Sequence, residues 1–571
     1  MPFVALPFAE SDWTDAGHSE AGCSTCAGLT PELRELAQEH PHLRRYLHHM
    51  PIAELGFPQY LEKLDKAAGA NDNPNYIYPV GNATFAHIMV DTQAARNHYV
   101  PIEPTILSDY DKLMEIVEDM LVDTVHKFHQ PTNKAEQQEV LLNALDRVVK
   151  LAGPGTMRKA DGGWGKPNGR MTLGQDDVDA VRYLMLRDKI GLGILNPLIT
   201  DPNIEDISCA GLGPVFIEHK TFKALKSTII FDKHDDLDAF LRRTSERINK
   251  PVTYRKPIVD ATLPDGSRVN IVYGEEVSKR GSNFTIRKFT TTPLSVMDVV
   301  SGGACTYQMI AYLSIMIEEG MNMWVSGETA SGKTTLLNAL TTFIAGDAKV
   351  VTVEDTPEVQ IPHPNWLREV VRGAVGEAAS VTMFDLLKAA LRQRPNEIIV
   401  GEIRGEEGNI AFQAMQTGHA CMATFHAATV EKLIQRVTAS PISVPKSYID
   451  NLNLVVIASA VKLPNGKLGR RILSINELFG YDSVTDSFSY AETFHWDPIS
   501  DQHEFTGYMN SYLLENKVAP ARGIPPNQRR RIYADIDRRA KVLEKLHKSS
   551  GISDFYELYR VLGNAKKQGL F

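Results

Sequence analysis

The chain has 571 residues, of which 43% are apolar and 23% charged, an ordinary mix for a folded protein. Its 61 Lys and Arg against 70 Asp and Glu leave a net charge of −9. That balance disfavours a globally basic nucleic-acid binder, and the apolar content disfavours a disordered chain.

At about 150 residues per domain, the length predicts three to four units. Five cysteines, at 23, 26, 209, 305 and 421, do not make a disulfide framework. A reducing, cytosolic compartment is therefore expected. The most apolar stretches, 310–317 and 454–461, have the length of a strand or a core helix, not of a membrane span. The opening MPFVALPFAESDWTD lacks the basic and apolar regions of a signal peptide. Membrane association would then come through a partner or a surface patch.

In chain order, the first thirty residues, with Glu10, Asp12, Asp15 and Glu20 among small residues, read as a mobile lead-in. Residues 30–53 have helical spacing through Leu33, Leu36, Leu43, Tyr46 and Leu47. Alternating apolar residues in YIYPVGNATFAHIMV, broken by Pro79 and Gly81, predict a hairpin. Ser108 and Asp111 resemble a capping box ahead of a helix striped by Leu113, Ile116, Val117, Met120 and Leu121. A second helix is expected over 136–151, a Gly-rich loop over 153–174 and a third helix over 176–195. From 206 to 289 strands alternate with one helix at 237–248, which predicts an α+β domain closed by a linker at 290–293. Beyond 300, the apolar runs MNMWVS, KVVTVE, EIIVG, CMATF and NLVVIASA alternate with helices at 334–343, 383–392 and 408–416. That alternation predicts a mostly parallel sheet with both faces covered. The last sixty residues read as helical and partly basic. The expected division is a 1–105 extension, a 106–290 α+β domain, a 291–510 ATPase domain and a 511–571 basic helical segment.

GETASGKT, Gly327 to Thr334, fits G-x-x-x-x-G-K-[ST] after an apolar strand and before a helix. Backbone N–H groups must turn inward to ring a phosphate, and glycines permit that turn. The helix start faces the anion with its positive end. Candidate contacts are Gly327, Glu328, Thr329, Ala330, Ser331, Gly332, Lys333, Thr334 and Thr335. Lys333 is expected at the β- and γ-phosphates and Thr334 at Mg²⁺. Glu402 follows the strand EIIVG, where a carboxylate can bind metal through water or polarise an attacking water. Glu354 and Asp355 follow another strand. His419 and His426 flank CMATF at a spacing that is not a zinc pattern.

GETASGKTT, VTVEDTPE, LRQRPNEIIVGEIRGEE and TGHACMATFHA, in that order, resemble the four signature blocks of the type II/type IV secretion ATPase superfamily. The resemblance spans about residues 191–497. It implies an α/β fold: a RecA-like P-loop ATPase C-terminal domain preceded by a smaller α+β, PAS-like N-terminal domain and a helical extension. It also implies a homo-hexameric motor using ATP and Mg²⁺. Glu402 would be the catalytic glutamate, Glu354 an acid near metal and water, and His419 and His426 the histidine pair. Within the superfamily, YIYPVGNATFAHI, VPKSYIDNLNLVVI and RRILSINELFGYD look most like the archaellum motor ATPase, and archaeal pilus-assembly ATPases share most blocks. The chain lacks the four-cysteine metal module of many bacterial relatives, which favours the archaeal branch. The implied partners are a polytopic membrane platform protein and other cytoplasmic motor components, with no nucleic acid. The implied location is cytoplasmic, peripherally at the inner face of the membrane.

A ring that fires at its interfaces needs cations for the γ-phosphate. Arg255, Arg268, Arg287, Arg392 and Arg394 are candidates, with Arg268 and Arg287 favoured by their strand-like context. Arg404 reads as structural. Residues 522–548 carry nine Lys or Arg and three Asp or Glu along an apolar stripe. They read as a packed helix with a solvated basic face, or as a contact for an acidic cytoplasmic loop or anionic lipid. Cys23 and Cys26 form a single C-x-x-C, and without a second pair the spacing does not point to metal. A DNA translocase would need a basic, aromatic-interleaved stripe that is missing, and a GTPase would need N-K-x-D. A nucleotide-gated interaction protein stays open as an alternative.

Overall fold

The chain folds as two units, Met1–Phe289 and Thr290–Phe571. The computed structural model describes residues 3–9, 11, 13, 22–64, 68–71, 73–81, 83–91, 96–105, 110–125, 131, 133–152, 170–289, 292–372 and 380–571. Residues 14–21 of the lead-in, Ser108, most of the 153–174 loop and residues 290 and 291 of the linker lie outside the described residues.

The first unit opens with β1 (Phe3–Val4) and three short helices, α1 (Ser24–Gly28), α2 (Pro31–Glu39) and α3 (Pro41–His49). Pro31 and Pro41 begin their helices, where a missing N–H costs nothing. Leu33, Leu43, Tyr46 and Leu47 are completely buried and form one core with Ile77, Phe85 and Val100. Those three belong to the strands that follow α4 (Ile52–Leu55) and β2 (Gln59–Tyr60): β3 (Asn75–Gly81), β4 (Thr84–Met89) and β5 (His98–Ile102). β3 and β4 pair as an antiparallel hairpin.

A second core gathers Leu113, Val117, Leu145 and Val181. These come from α5 (Asp111–Val125), α6 (Lys134–Val148) and α7 (Gln175–Met185), beside the two-stranded sheet of β6 (Val149–Leu151) and β7 (Met171–Leu173). Past α8 (Asn196–Thr200), the strands β8 (Ile204–Cys209), β9 (Gly213–His219) and β10 (Lys223–Phe231) lead to α9 (His234–Arg247). β11 (Ile258–Thr262), β12 (Arg268–Val272) and β13 (Asn283–Arg287) complete the unit. The large sheet runs β11-β12-β13-β8-β9-β10-β5-β4-β3-β2, with β1 on β10. β10 joins β5 in parallel, Lys226 opposite His98. Residues 59–102 and 204–287 therefore share one sheet.

In the second unit, α10 (Val296–Ser301) starts on a Ser295–Asp298 capping box and α11 (Tyr307–Glu318) on the Thr306 side chain. Every α11 residue from Met309 to Ile317 is buried, as a helix apolar all round must be. The parallel strands are β14 (Met323–Gly327), β15 (Val350–Glu354), β16 (Trp366–Val370), β17 (Glu397–Ile403), β18 (Ala420–Phe425) and β19 (Leu454–Lys462). Between them run α12 (Lys333–Leu340), α13 (Met383–Arg392), α14 (Glu407–Gln416) and α15 (Val430–Thr438). The antiparallel β20 (Leu468–Asp482), β21 (Ser487–Asp497) and β22 (Gln502–Glu504) extend the sheet, whose order is β16-β15-β17-β18-β14-β19-β20-β21-β22. One apolar core joins α11, α12 and the C-terminal helices, and another joins α13, α14 and α15.

After α16 (Ala519–Ala521), α17 (Ile532–Lys548) and α18 (Phe555–Lys567) pack into the first of these cores. The cations of this C-terminal segment are partly spent internally. Arg522 reaches Glu318, Glu319 and Asp535 at 3.1, 2.6 and 3.0 Å, and the buried Arg539 reaches Glu318 at 2.5 Å. Among the described residues, no helix is long and apolar enough to cross a membrane.

Candidate functional site

The phosphate-type loop leaves β14 with its strand fully buried and enters α12 directly. Gly332 stands at the N-cap in the left-handed region, φ 89°. A Cβ on Gly327 would lie 2.0 Å from the Ala458 carbonyl oxygen of β19, so no side chain fits there. The first turn of α12 leaves its N–H groups without intrahelical acceptors and adds the positive end of the helix dipole. Lys333 folds back over the loop, its Nζ donating to the Glu328 carbonyl at 2.7 Å. The Ser331 hydroxyl donates to the same carbonyl at 2.8 Å. Partial burial lowers the Lys333 pKa, against the pull of Glu402 and Glu358. A glycine-bounded loop that opens a helix N-terminus beside one half-buried cation suits a polyphosphate. Arg470 of β20 adds a contact that the sequence did not single out, its Nε donating to the Ala330 carbonyl at 3.2 Å.

Glu402 reaches the same sheet edge by a local irregularity. The β17–β18 ladder shifts register between Val400 and Ile403, so one extra residue on β17 turns Gly401 and Glu402 out of regular pairing. Both carboxylate oxygens are engaged. Arg404 Nε and Nη2 donate to Oε1 and Oε2 at 2.7 and 2.8 Å, and His426 Nε2 lies 3.0 Å from Oε1. Burial pushes the Glu402 pKa up, but Arg404, His426 and Lys333 outweigh it and hold the carboxyl below its ordinary value. His426 has its own pKa lowered by burial, with Glu402 pulling the other way. Ser326 ties β14 to the residue after His426: its hydroxyl donates to the Ala427 carbonyl at 2.7 Å and accepts from the Ala427 N–H at 3.1 Å. Arg404, read from the sequence as structural, is thus bound to the carboxylate itself.

Glu354 ends β15 completely buried. Its Oε1 accepts the N–H groups of Glu358 and Val359 at 2.8 and 2.6 Å. Among the described residues its Oε2 accepts no hydrogen bond, and it lies 3.6 Å from Arg368 Nε. Burial raises the pKa to about 7 against those favourable contacts. Glu354 packs on Gly401, where a Cβ would sit 3.1 Å from its Cγ. This places Glu354 beside the bulge that carries Glu402.

The structure does not bring His419 to this edge. His419 precedes β18, whereas the loop and His426 lie past the strands' C-terminal ends. At about 3.3 Å per residue, β18 separates the two histidines by roughly 20 Å. The His419 ring instead meets the Thr417 hydroxyl at 3.0 Å. Within its own chain it is a turn residue, and sequence proximity to CMATF could not reveal which edge it occupies.

Arg268 and Arg287 belong to the first unit and stand directly opposite each other on β12 and β13. Arg268 forks onto Asp260 at 3.0 and 2.5 Å, and Arg287 opposes Asp206 on β8.

A family model described as "Type II/IV secretion system protein" matches residues 188–463. An uncharacterised protein of Methanocaldococcus jannaschii is 40% identical over 548 residues, covering 94% of this chain and 97% of that protein. The type IV secretion system protein VirB11 of Bartonella henselae is 28% identical over 221 residues, 33% of this chain and 62% of that protein. Among solved structures, the Legionella pneumophila ATPase DotB aligns at 19% identity and a TM-score of 0.37, over 63% of this chain and 92% of that one.

Proposed function

The chain belongs to the type II/IV secretion ATPase superfamily, and from that premise we propose that it hydrolyses ATP to drive a membrane-associated machine building or turning an archaeal surface filament. The observation that carries the catalytic part is the convergence of Lys333, Glu402 and His426 on one edge of the parallel sheet, at the loop's own strand. Residues 327–335 hold the phosphates. Thr334, with Glu354 and Glu402 through water, offers hard oxygen donors of the kind Mg²⁺ takes; bound there, the ion would neutralise charge on the phosphates. Glu402 is the base that polarises water. The Arg404 fork keeps it ionised and must release an oxygen before it can act. His426, bound to Glu402, links the state of that carboxylate to the end of β18.

The same reading takes a homo-hexamer as the working form, Arg268 and Arg287 as cations facing the γ-phosphate, and a polytopic membrane platform protein as the load. The 40% identity to an archaeal protein along nearly its whole length supports the archaeal setting. A pilus-assembly or secretion motor is the second reading, supported by the match to a type IV secretion protein.

The test is ATP turnover measured together with oligomer size, with and without Mg²⁺, for the wild type and Glu402→Gln. Hydrolysis that needs Mg²⁺, rises as rings form and falls about 10²–10⁴-fold in the variant is expected. Turnover that survives in the variant overturns the role given to Glu402; turnover by a monomer, or an intact ring without turnover, overturns the motor reading in favour of a nucleotide-gated interaction protein.

A further inference from the structure

The C-x-x-C of the lead-in acquires a third donor that spacing did not announce. Cys23 caps α1 and Cys26 lies within it, while His48 sits in the last turn of α3. His48 Nε2 lies 3.3 Å from Cys23 Sγ and 3.5 Å from Cys26 Sγ, and all three donor atoms fall within 4.8 Å of one another. None of the five cysteines is in a disulfide.

The tautomer of His48 is fixed by its other nitrogen. Nδ1 lies 2.7 Å from the Arg44 carbonyl oxygen, which only accepts, so Nδ1 carries the proton. Nε2 therefore presents its lone pair to the two sulfurs. This is the outer-shell arrangement that orients histidine ligands of metals. The distances agree with it as well. Zinc–sulfur bonds of about 2.3 Å and zinc–nitrogen bonds of about 2.0–2.1 Å, held at tetrahedral angles, put S and N about 3.5 Å apart. The Trp13 ring stacks on the His48 imidazole at 4.3 Å, and Cys26 is buried, so the site is partly shielded. Two thiolates and a neutral imidazole carry a charge of −2, which a divalent cation balances, so the half-buried group carries no net charge.

We propose that Cys23, Cys26 and His48 bind one soft divalent cation, Zn²⁺ by ligand chemistry, that staples α1 to α3. Soft thiolates and imidazole select zinc over magnesium or calcium. The staple closes residues 26–48 over the helices that cover β3, β4 and β5. In place of a second cysteine pair stands a histidine that only the packing of α3 delivers.

The test uses the full chain purified under reducing conditions. Elemental analysis is expected to give one zinc per chain, lost in the Cys23→Ser/Cys26→Ser double variant and retained in His48→Cys. Replacement by Co²⁺ is expected to give thiolate-to-cobalt charge-transfer absorption and to change Trp13 fluorescence. The cobalt spectrum of the wild type decides the matter even where the double variant fails to fold. A folded wild-type chain without stoichiometric zinc and without that absorption overturns the proposal. So does zinc content unchanged by the double variant.

Discussion

Replacing Glu354 by Gln and by Ala separates the two things this buried carboxyl does. Its pKa of about 7, against an ordinary 4.5, means that burial favours the neutral form. The sign follows from linkage. Because the folded value lies above the unfolded one, the protonated carboxyl costs nothing at low pH. The cost of its charge grows from about pH 4.5 and is complete above about 7. A gap of that size corresponds to about 3 kcal/mol at pH 8 and under about 1 kcal/mol at pH 5. Glu354→Gln keeps an oxygen for the N–H groups of Glu358 and Val359 and removes the charge. It should therefore stabilise the second unit by up to about 3 kcal/mol at pH 8 and by little at pH 5. Glu354→Ala leaves two buried N–H donors without an acceptor, each worth about 1–3 kcal/mol. At pH 5 it should destabilise by about 2–6 kcal/mol. Urea unfolding at both pH values, followed by tryptophan fluorescence, reads the effect, since Trp324, Trp366 and Trp496 lie in the second unit. A Gln variant with no pH-dependent gain would refute the buried-charge argument. An Ala variant as stable as the Gln variant would refute the role of Oε1 in holding the 354–359 turn.

Glu397, buried at the start of β17 and with its pKa pushed up to about 8 by burial, makes a parallel case. Glu397→Gln should stabilise by at most about 4 kcal/mol at pH 8 and by far less at pH 5, in the same unfolding assay. Gly327→Ala forces more than 1 Å of movement against the Ala458 carbonyl and should weaken ATP binding about 100-fold or more, measured with a fluorescent nucleotide. Arg404→Ala removes the guanidinium fork that lowers the Glu402 pKa, so the acid limb of the kcat/KM profile should move to higher pH. His426→Ala should cost about 10²-fold in kcat, whereas His419→Ala should leave kcat unchanged; equal losses of kcat would contradict their placement at opposite strand ends.

The sequence was most legible where chemistry is written in consecutive residues. A buried strand, a loop with glycine at both ends and a helix that follows Gly332 are local features, and Gly327 to Thr335 carries all of them. The strands of the second unit were legible for the same reason, because a parallel sheet covered on both faces needs apolar runs such as VVTVE and EIIVG. The long antiparallel β20 and β21 were not, since their burial alternates irregularly along solvent-facing lengths.

What the residues themselves determined was therefore the identity of the loop and the kinds of group available around it, since backbone conformation and strand burial act over a few neighbours. Tertiary structure alone decided which of those groups meet. The β17 bulge aims Glu402 at Arg404 and His426, strand direction sends His419 to the far edge, Arg539 is drawn onto Glu318 more than two hundred residues earlier, and α3 delivers His48 to Cys23 and Cys26. Each meeting depends on how separate elements pack, and no spacing along the chain records that.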